Sequence, residues 1–297
     1  PARASVDGRA VTGRPHPDGH DEDAEWWDAA VPGHLTGLVT SVVGYRRLDG
    51  PTRVHRGLPS GALTLIVNVG EPVRILDGSG ADRFDTTIAG LHTRPTLIDD
   101  TGTQEGVSIG LHPLGVGALL GAPAAALVDA AVELDDVVGS GGRRLWERLQ
   151  EPATARARTE VCIAWLGERI ARADERRVDD GVRRAWSVLD RSAGQVRVDR
   201  LADDIGWSRQ HLRRRFRAER GLNPKESARV LRFDASVRRL KARPATELAG
   251  LAAECGFADQ SHLTNEWGRL AGCSPTDWLT TDLVPNVQDR DGLRAAR

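Results

Sequence analysis

The sequence predicts an α+β fold. A small β-barrel or sandwich with trailing helices precedes an all-α domain that has two helix-turn-helix units joined by a long helix. Three observations predict it. Between residues 35 and 111, short β-like segments alternate with turn signals. After Pro113 the apolar period becomes helical. Beyond residue 200, one pattern of apolar and turn residues occurs twice. The 297 residues are enough for roughly two such domains.

The chain divides into six expected segments. Residues 1–25 hold mainly Gly, Pro, Asp, His and Arg, which is typical of a disordered arm. Residues 172–181 are polar and lack periodicity, which is typical of a linker between domains. We expect, in order, an arm (1–25), a β-rich domain (26–140), a helical region (141–172), a linker (173–181), an all-α domain (182–281) and a tail (282–297).

The β-rich domain is predicted from short apolar runs. Residues 63–69 alternate and are β-branched, and residues 72–76 end on Asp77-Gly78, a hairpin-type turn. Similar runs occupy residues 38–43, 87–89, 96–98 and 106–111. The interior of such a barrel or sandwich is either a ligand cavity or a packed core. If it is a cavity, we expect strands 63–69 and 106–111 to line it, with three candidate polar contacts for an effector: His55, Arg74 and His92.

Helical segments follow the strands. They are predicted at residues 114–120, 124–128 and 134–138, and as two longer helices on either side of Pro152. The two longer helices carry apolar stripes. These stripes form a dimer interface or pack on the β-rich domain of the same chain, and the sequence does not distinguish the two arrangements.

Charge is unevenly distributed along the chain. The net charge is −1, but residues 179–245 hold 18 basic and 9 acidic side chains. A basic segment inside a neutral chain indicates a polyanion partner for that segment. The alternative is a solvated, charged helix face.

The cysteines and the apolar runs indicate a compartment. Cys162, Cys255 and Cys273 are odd in number and widely spaced, which favours reduced thiols in a cytoplasmic protein. No apolar run reaches the roughly 18 residues of a membrane helix. We therefore expect no membrane partner.

The all-α domain contains one unit twice. Apolar and turn positions recur after fifty residues in the first half of the unit and after fifty-one in the second half, so the extra residue falls in the turn. The first copy contains Leu201, Ala202, Gly206, Trp207, Leu212, Phe216, Gly221 and Pro224, and the second contains Leu251, Ala252, Gly256, Phe257, Leu263, Trp267, Gly272 and Pro275.

In the first unit, a basic helix follows the turn. Asp199 is a plausible cap of the preceding helix, and Ser208 caps the basic one. Leu212 and Phe216 are four residues apart and point inward. Arginine grips guanine O6 and N7, and glutamine pairs with adenine N6 and N7. The outer residues are therefore candidate DNA contacts: Arg209, Gln210, His211, Arg213, Arg214 and Arg217.

The second unit carries less positive charge. Residues 246–297 hold 4 basic and 8 acidic side chains. Because phosphate contacts supply most of the affinity for DNA, we expect the first unit to dominate binding. The candidate DNA contacts of the second unit are Gln260, Ser261, Thr264 and Asn265. Between the units, residues 224–240 predict a helix of ~25 Å, which spaces two recognition helices by about one DNA turn, ~34 Å.

Residues 182–281 resemble the DNA-binding domain of the AraC/XylS family of transcriptional regulators. The residues that carry the resemblance are Gly206-Trp207-Ser208, Gly221-Leu-Asn-Pro224, Arg232, Ala235, Cys255-Gly-Phe257, Asp259-Gln-Ser-His-Leu263 and Gly272-Cys-Ser-Pro275. The resemblance implies seven helices, transcription regulation, double-stranded DNA and RNA polymerase as partners, and contact positions at Gln210, Arg213, Arg214, Ser261, Thr264 and Asn265. The family often has Arg where Asn265 stands and Phe where Leu263 stands. Residues 35–140 resemble, more loosely, the sensor domain of actinobacterial members, which implies a small-molecule effector and a homodimer.

Two other classes of function are alternatives to a regulator. A metal-dependent enzyme in a β-barrel needs clustered ligands, but His55, His92 and His112 are far apart in sequence. We find no nucleophile elbow, phosphate loop, zinc spacing or cofactor motif, and therefore expect no enzyme and no metal site. A non-specific architectural DNA-binding protein is the other alternative, and competitor DNA distinguishes it from a regulator.

Overall fold

The β-rich part is a sandwich of two antiparallel sheets that do not close into a barrel. It is seen in a computed structural model that describes residues 13–15 (backbone only), 25–48, 50, 52–76, 80–173 and 178–281. The tail at 282–297, most of the arm at 1–25 and residues 174–177 of the expected linker lie outside the described residues.

The seven-stranded sheet has the order β1-β2-β3-β10-β5-β8-β11, and the four-stranded sheet the order β4-β9-β6-β7. The strands are β1 (Gly13–Pro15), β2 (Glu25–Ala29), β3 (Val39–Arg47), β4 (Arg53–Gly57), β5 (Leu63–Asn68), β6 (Val73–Leu76), β7 (Ala81–Phe84), β8 (Thr86–Ala89), β9 (Thr96–Asp100), β10 (Gln104–Leu111) and β11 (Ala131–Glu133). All six apolar runs that the sequence predicts as strands are strands. The other five described strands, β1, β2, β4, β7 and β11, were not predicted, because they are short and lack a clear apolar alternation.

The two faces of the large sheet have different chemistry. Leu65 and Ile109 are paired in register and lie in the main apolar core, which the trailing helices complete. Ile66, one residue along the strand, faces the small sheet and is paired with Ser108 and Thr87. The space between the sheets is therefore lined partly by hydroxyl side chains. The helix-facing side is largely apolar, with an ion pair between Glu105 and Arg158 of a trailing helix near its edge.

The helices follow the periodicity that the sequence predicts. They are α1 (Val116–Leu120), α2 (Leu134–Val138), α3 (Gly141–Gln150), α4 (Ala155–Ala171), α5 (Asp180–Arg191), α6 (Val198–Ile205), α7 (Arg209–Arg220), α8 (Pro224–Ala242), α9 (Leu248–Glu254), α10 (Gln260–Leu270) and α11 (Pro275–Thr281). Residues Ala124–Leu127 form a 3-10 turn. Helix α4 packs on β2, β3 and β10 of its own sheet, as in the second of the two readings of the trailing helices.

The two helix-turn-helix units have the same local geometry. Gly206 and Gly256 both have left-handed φ values, 76° and 74°, which a residue with a Cβ adopts only under strain. The following aromatic residues, Trp207 and Phe257, donate their backbone N–H groups to the carbonyls of Ala202 and Ala252 at 3.0 and 2.9 Å. The repeat seen in the sequence is thus a repeat of backbone structure.

One predicted helix cap is wrong. Helix α6 begins after Arg197, whose side chain makes no cap hydrogen bond. Asp199 lies in the first turn instead, where its carboxylate is 3.1 Å from Arg209 Nε. The charge still favours the positive end of the helix dipole.

The sandwich and the helical domain are in direct contact. Arg220, the last residue of α7, donates a hydrogen bond to the Pro113 carbonyl. Trp186 Nε1 donates to His112 Nε2 at 3.2 Å. Gly61, in the loop before β5, donates its N–H to Asp234 Oδ2 of α8 at 3.3 Å.

Candidate nucleic-acid interface

The interface is built around helix α7. Ser208 caps the helix by accepting a hydrogen bond from the His211 N–H at 3.2 Å, as predicted. Leu212 and Phe216 are fully buried, and the Phe216 ring stacks against Trp186 of α5 at 6.2 Å. These inward anchors fix the rotation of α7, so the opposite face is directed to solvent.

The exposed face of α7 is basic. Gln210, Arg213, Arg214 and Arg217 are all exposed. The guanidinium groups of Arg213 and Arg217 have no hydrogen-bond or ion-pair partner in the described part of the chain. Such cations can bind phosphate or base edges without first breaking an internal bond.

Two other candidate DNA contacts, Arg209 and His211, already interact with neighbouring side chains. Arg209 is paired with Asp199, and His211 is half-buried with its ring 4.6 Å from that of Trp207. Arg214 Nη2 lies 3.3 Å from His211 Nδ1. His211 is therefore placed to orient Arg214, while Arg214 remains exposed.

Two arginines of the same helix serve the fold. Arg215 donates to Asp179 Oδ2 at 2.8 Å, and this hydrogen bond lowers the pKa of Asp179, which in turn caps α5. Arg220 is buried, at 1% exposure. Sequence reasoning did not single out Arg220, yet a signal existed. Leu212, Phe216 and Arg220 are spaced by four residues and share the inward face.

Helix α10 presents a polar face with little charge. Gln260, Ser261 and Asn265 are exposed. Thr264 is half-buried, and its hydroxyl donates to the Gln260 carbonyl at 3.0 Å. Arg269 is paired with Glu266 at 3.2 Å. The second unit therefore offers amides and one hydroxyl rather than unpaired cations.

Helix α8 lies between α7 and α10 in the chain. Its 19 residues span about 28 Å at the rise of an α-helix. Asn223 and Glu226 form a capping box at its start, with Pro224 at the first helical position. A well-capped rod of this length is a rigid spacer between α7 and α10.

The sequence of these two units matches a known family. Residues 201–281 match the model of a helix-turn-helix domain family. These residues form an AraC-type helix-turn-helix domain. Residues 32–133 match the model of a domain of unknown function, DUF6597. No curated protein matches the chain.

Several solved structures are similar to all or part of this chain. ToxT from Vibrio cholerae is 11% identical, with a TM-score of 0.46 over 81% of this chain and 97% of that one. The C-terminal domain of AraT, a response regulator from Geobacillus stearothermophilus, is 19% identical, with a TM-score of 0.34 over 37% and 92%. A transcriptional regulator with an AraC-type DNA-binding domain from Chromobacterium violaceum is 20% identical, with a TM-score of 0.32 over 36% and 96%.

The described residues of the sandwich form two clefts between its sheets. The three candidate effector contacts, His55, Arg74 and His92, do not lie together in either of them. His55 is buried beside a cleft of about 460 Å³, together with Tyr45 and Asn68. His92 lines a second cleft, of about 490 Å³. Both volumes include space open to solvent. Arg74 lines neither cleft, because Val73 and Ile75 point inward on the same strand and Arg74 points outward, 3.1 Å from Asp99.

The predicted lining strands contribute unequally. Thr64 and Ile66 of β5 line the cleft beside His92, and Ile66 also lines the cleft beside His55, but residues 106–111 of β10 line neither. Ser108 of β10 is fully buried, and its hydroxyl has no partner among the described residues.

Among the described residues, no group of three or more His, Cys, Asp or Glu side chains is arranged to hold a metal ion. In the same residues, none of the helices is both long and apolar enough to cross a bilayer.

Proposed function

We propose that this chain is a sequence-specific transcription regulator that binds double-stranded DNA through the exposed face of α7. The observation that carries the proposal is the set of exposed side chains Gln210, Arg213, Arg214 and Arg217 on a helix whose opposite face is locked into the core. An α-helix fits the major groove, where arginine and glutamine have matching base edges.

The two helix-turn-helix units contribute differently to DNA binding. The first supplies most of the affinity through its unpaired cations, and the second adds positioning and weaker base contacts through Gln260, Ser261 and Asn265. Arg214→Ala costs ~1–3 kcal/mol of binding free energy and relaxes sequence choice, whereas Asn265→Ala costs less. Thr264 contributes least, since its hydroxyl is already bonded within the helix.

The sandwich supplies control. In this proposal it binds a small-molecule effector, the regulator acts in the cytoplasm as a homodimer, and it contacts RNA polymerase at its promoters. It has no enzymatic activity of its own. The support for an effector is the pair of clefts between the sheets, together with the direct contacts from the sandwich to α7 and α8.

The test begins with selection of bound duplexes from a random library by the full chain. Dissociation constants are then measured for the selected duplex and for a scrambled one, at two salt concentrations. Arg143→Ala is the matched control, because Arg143 is an exposed arginine on α3 of the sandwich. We expect Arg214→Ala, and not Arg143→Ala, to reduce the preference for the selected duplex.

Two results would reject the proposal. If selection yields no preferred sequence and the scrambled duplex competes equally, the chain is an architectural DNA-binding protein. If Asn265→Ala weakens binding more than Arg214→Ala, the division of labour between the units is wrong.

A further inference from the structure

The cleft beside His92 has a mixed apolar and hydroxyl lining. Apolar side chains of β5, β6 and β9 form its walls, and four hydroxyl side chains, Ser60, Thr64, Thr87 and Thr96, are set among them. His92 is the single titratable side chain in this lining, which includes no Asp, Glu, Lys or Arg among the described residues. A ligand in this cleft meets hydrogen-bonding groups but no charged lining side chain. The two charges that act on His92, those of Asp129 and Arg94, are of opposite sign.

His92 holds an unused acceptor. Its Nε2 is buried and has no hydrogen-bond partner among the described residues. Its Nδ1 lies 3.9 Å from Asp129 Oδ1, and Asp129 is fixed by the Thr93 N–H and hydroxyl at 2.6 and 2.8 Å. Burial lowers the pKa of His92, so the ring is neutral at pH 7. The carboxylate beside Nδ1 favours the tautomer with its proton there, which leaves Nε2 as an acceptor.

We infer that this cleft binds an uncharged, largely apolar small molecule that carries one hydroxyl or amide N–H group, and that His92 Nε2 accepts its hydrogen bond. The inference rests on the proposed function and names the class of its effector. A buried acceptor without a partner costs about 1–3 kcal/mol, so a donor on the ligand is favoured. A carboxylate or phosphate ligand would lose its hydration without gaining a counter-charge.

The cleft also lies against the DNA-binding domain. Leu58, Ser60 and Ala62 line it, while Gly61 of the same loop donates to Asp234 of α8. A methyl group placed on Gly61 would lie 2.7 Å from Leu231 Cδ2, so the loop and α8 are in close contact.

A second wall of the cleft reaches α7. Gly90 lines the cleft, and the Leu127 carbonyl fills the space where a side chain of residue 90 would be. The 3-10 turn that ends at Leu127 packs on α7. A ligand that orders these two walls therefore acts on the helix that carries the arginines and on the helix that spaces the two units.

The first experiment measures ligand binding to the full chain without DNA. The probes are 2-naphthol, 2-methoxynaphthalene and 2-naphthoate, which share a ring system and differ in donor and charge. We expect 2-naphthol to bind with a dissociation constant of about 1 mM or below by titration calorimetry. It should bind about tenfold or more tighter than each of the other two probes. If none of the three binds, or if naphthoate binds best, the inference is overturned.

Variants of His92 locate the contact. His92→Phe should bind 2-naphthol and 2-methoxynaphthalene equally, because the acceptor is gone. His92→Gln, which restores an acceptor oxygen, should recover part of the preference. Thermal unfolding shows whether each variant is folded. If folded His92→Phe keeps the full preference for naphthol, His92 is not the contact.

The second experiment separates this inference from the proposed function. The selected duplex is titrated with the chain in the presence and absence of saturating 2-naphthol. If the chain binds the selected duplex but not naphthol, the ligand inference fails and the proposed DNA-binding function stands. If it binds naphthol but shows no sequence preference for DNA, the proposed function fails and the ligand site stands. Asp234→Ala, which removes the acceptor for Gly61, should keep naphthol binding and reduce its effect on the DNA dissociation constant. If naphthol changes the DNA dissociation constant of Asp234→Ala as much as that of the wild-type chain, the cleft does not act on DNA binding through the contact between Gly61 and α8.

Discussion

Arg220 allows a quantitative test of how the sandwich and the helical domain are joined. Its guanidinium is buried, donates to the Pro113 carbonyl and lies 4.7 Å from the centre of the Trp186 ring. Its Nε and Nη2 atoms have no partner among the described residues. Burial lowers the pKa of Arg220 from 12.5 to about 9, so the group stays charged at neutral pH.

The free energy of this buried charge can be estimated. Lowering the pKa from 12.5 to about 9 corresponds to a cost of about 5 kcal/mol for the charged form in the folded state. This cost is a net one, since a pKa in the folded state reflects every contact of the charged group, including the hydrogen bond to the Pro113 carbonyl and the contact with Trp186. The two guanidinium atoms without partners are consistent with a net cost. The buried charge is therefore not a net stabiliser of the fold.

We predict that Arg220→Met lowers the free energy of unfolding by no more than about 1 kcal/mol, because methionine keeps the apolar stem and removes the charge. Arg220→Ala should cost about 2–4 kcal/mol, because it leaves a cavity beside Trp186. The assay is urea unfolding of the full chain followed by tryptophan fluorescence, with Arg217→Met as the exposed control. If methionine destabilises as much as alanine, the charge is a net stabiliser and the reasoning fails.

Three further predictions concern the same region and the turns. Burial and the neighbouring Arg220 lower the pKa of His112 to about 4. The unfolded chain therefore binds the proton first, and stability should fall by about 3 kcal/mol as pH drops from about 6.5 to 4, with no further loss from this group below 4. The same titration on folded His112→Gln should lack this component, and an identical pH profile would contradict it. Gly206→Ala should cost about 1 kcal/mol by chemical unfolding, since φ is 76° but no atom lies within 4 Å of the added methyl group. Gly221→Ala, with the same φ, should cost clearly more because its methyl group would meet Ala125 Cα at 2.9 Å; equal losses would show that this contact relaxes freely. Arg213→Ala and Arg217→Ala should each lower the slope of log Kd against log salt by about one, and an unchanged slope would mean that neither contacts phosphate.

The repeat and its helices were predictable because they depend on local rules. Turn glycines, caps and an inward pair four residues apart recur in register, and the structure has helices at these places. Strands were predictable from the sequence wherever one face of the strand is apolar. The outward direction of Arg74 was also readable, since Val73 and Ile75 flank it on an alternating strand.

What could not be predicted depends on contacts between distant segments. The partner of each arginine in α7 depends on residues that are distant in sequence. Arg215 donates a hydrogen bond to Asp179, and Arg220 donates one to the Pro113 carbonyl. The separation of His55 and His92 into two clefts follows from sheet order, which the sequence does not state. Local pattern therefore predicts the exposed basic face of α7, and only the fold identifies the contacts of α7 with the sandwich.

The most direct test of the recognition face pairs one side chain with one base atom. In the selected duplex, guanines are replaced one at a time by 7-deazaguanine, which lacks the N7 acceptor, and binding of the wild-type chain and of Arg214→Ala is measured. We predict that one replacement costs the wild-type chain ~1–3 kcal/mol and costs Arg214→Ala nothing further, since the bond is already lost. If every replacement affects both proteins equally, Arg214 does not contact a guanine N7, and the central claim about α7 is contradicted.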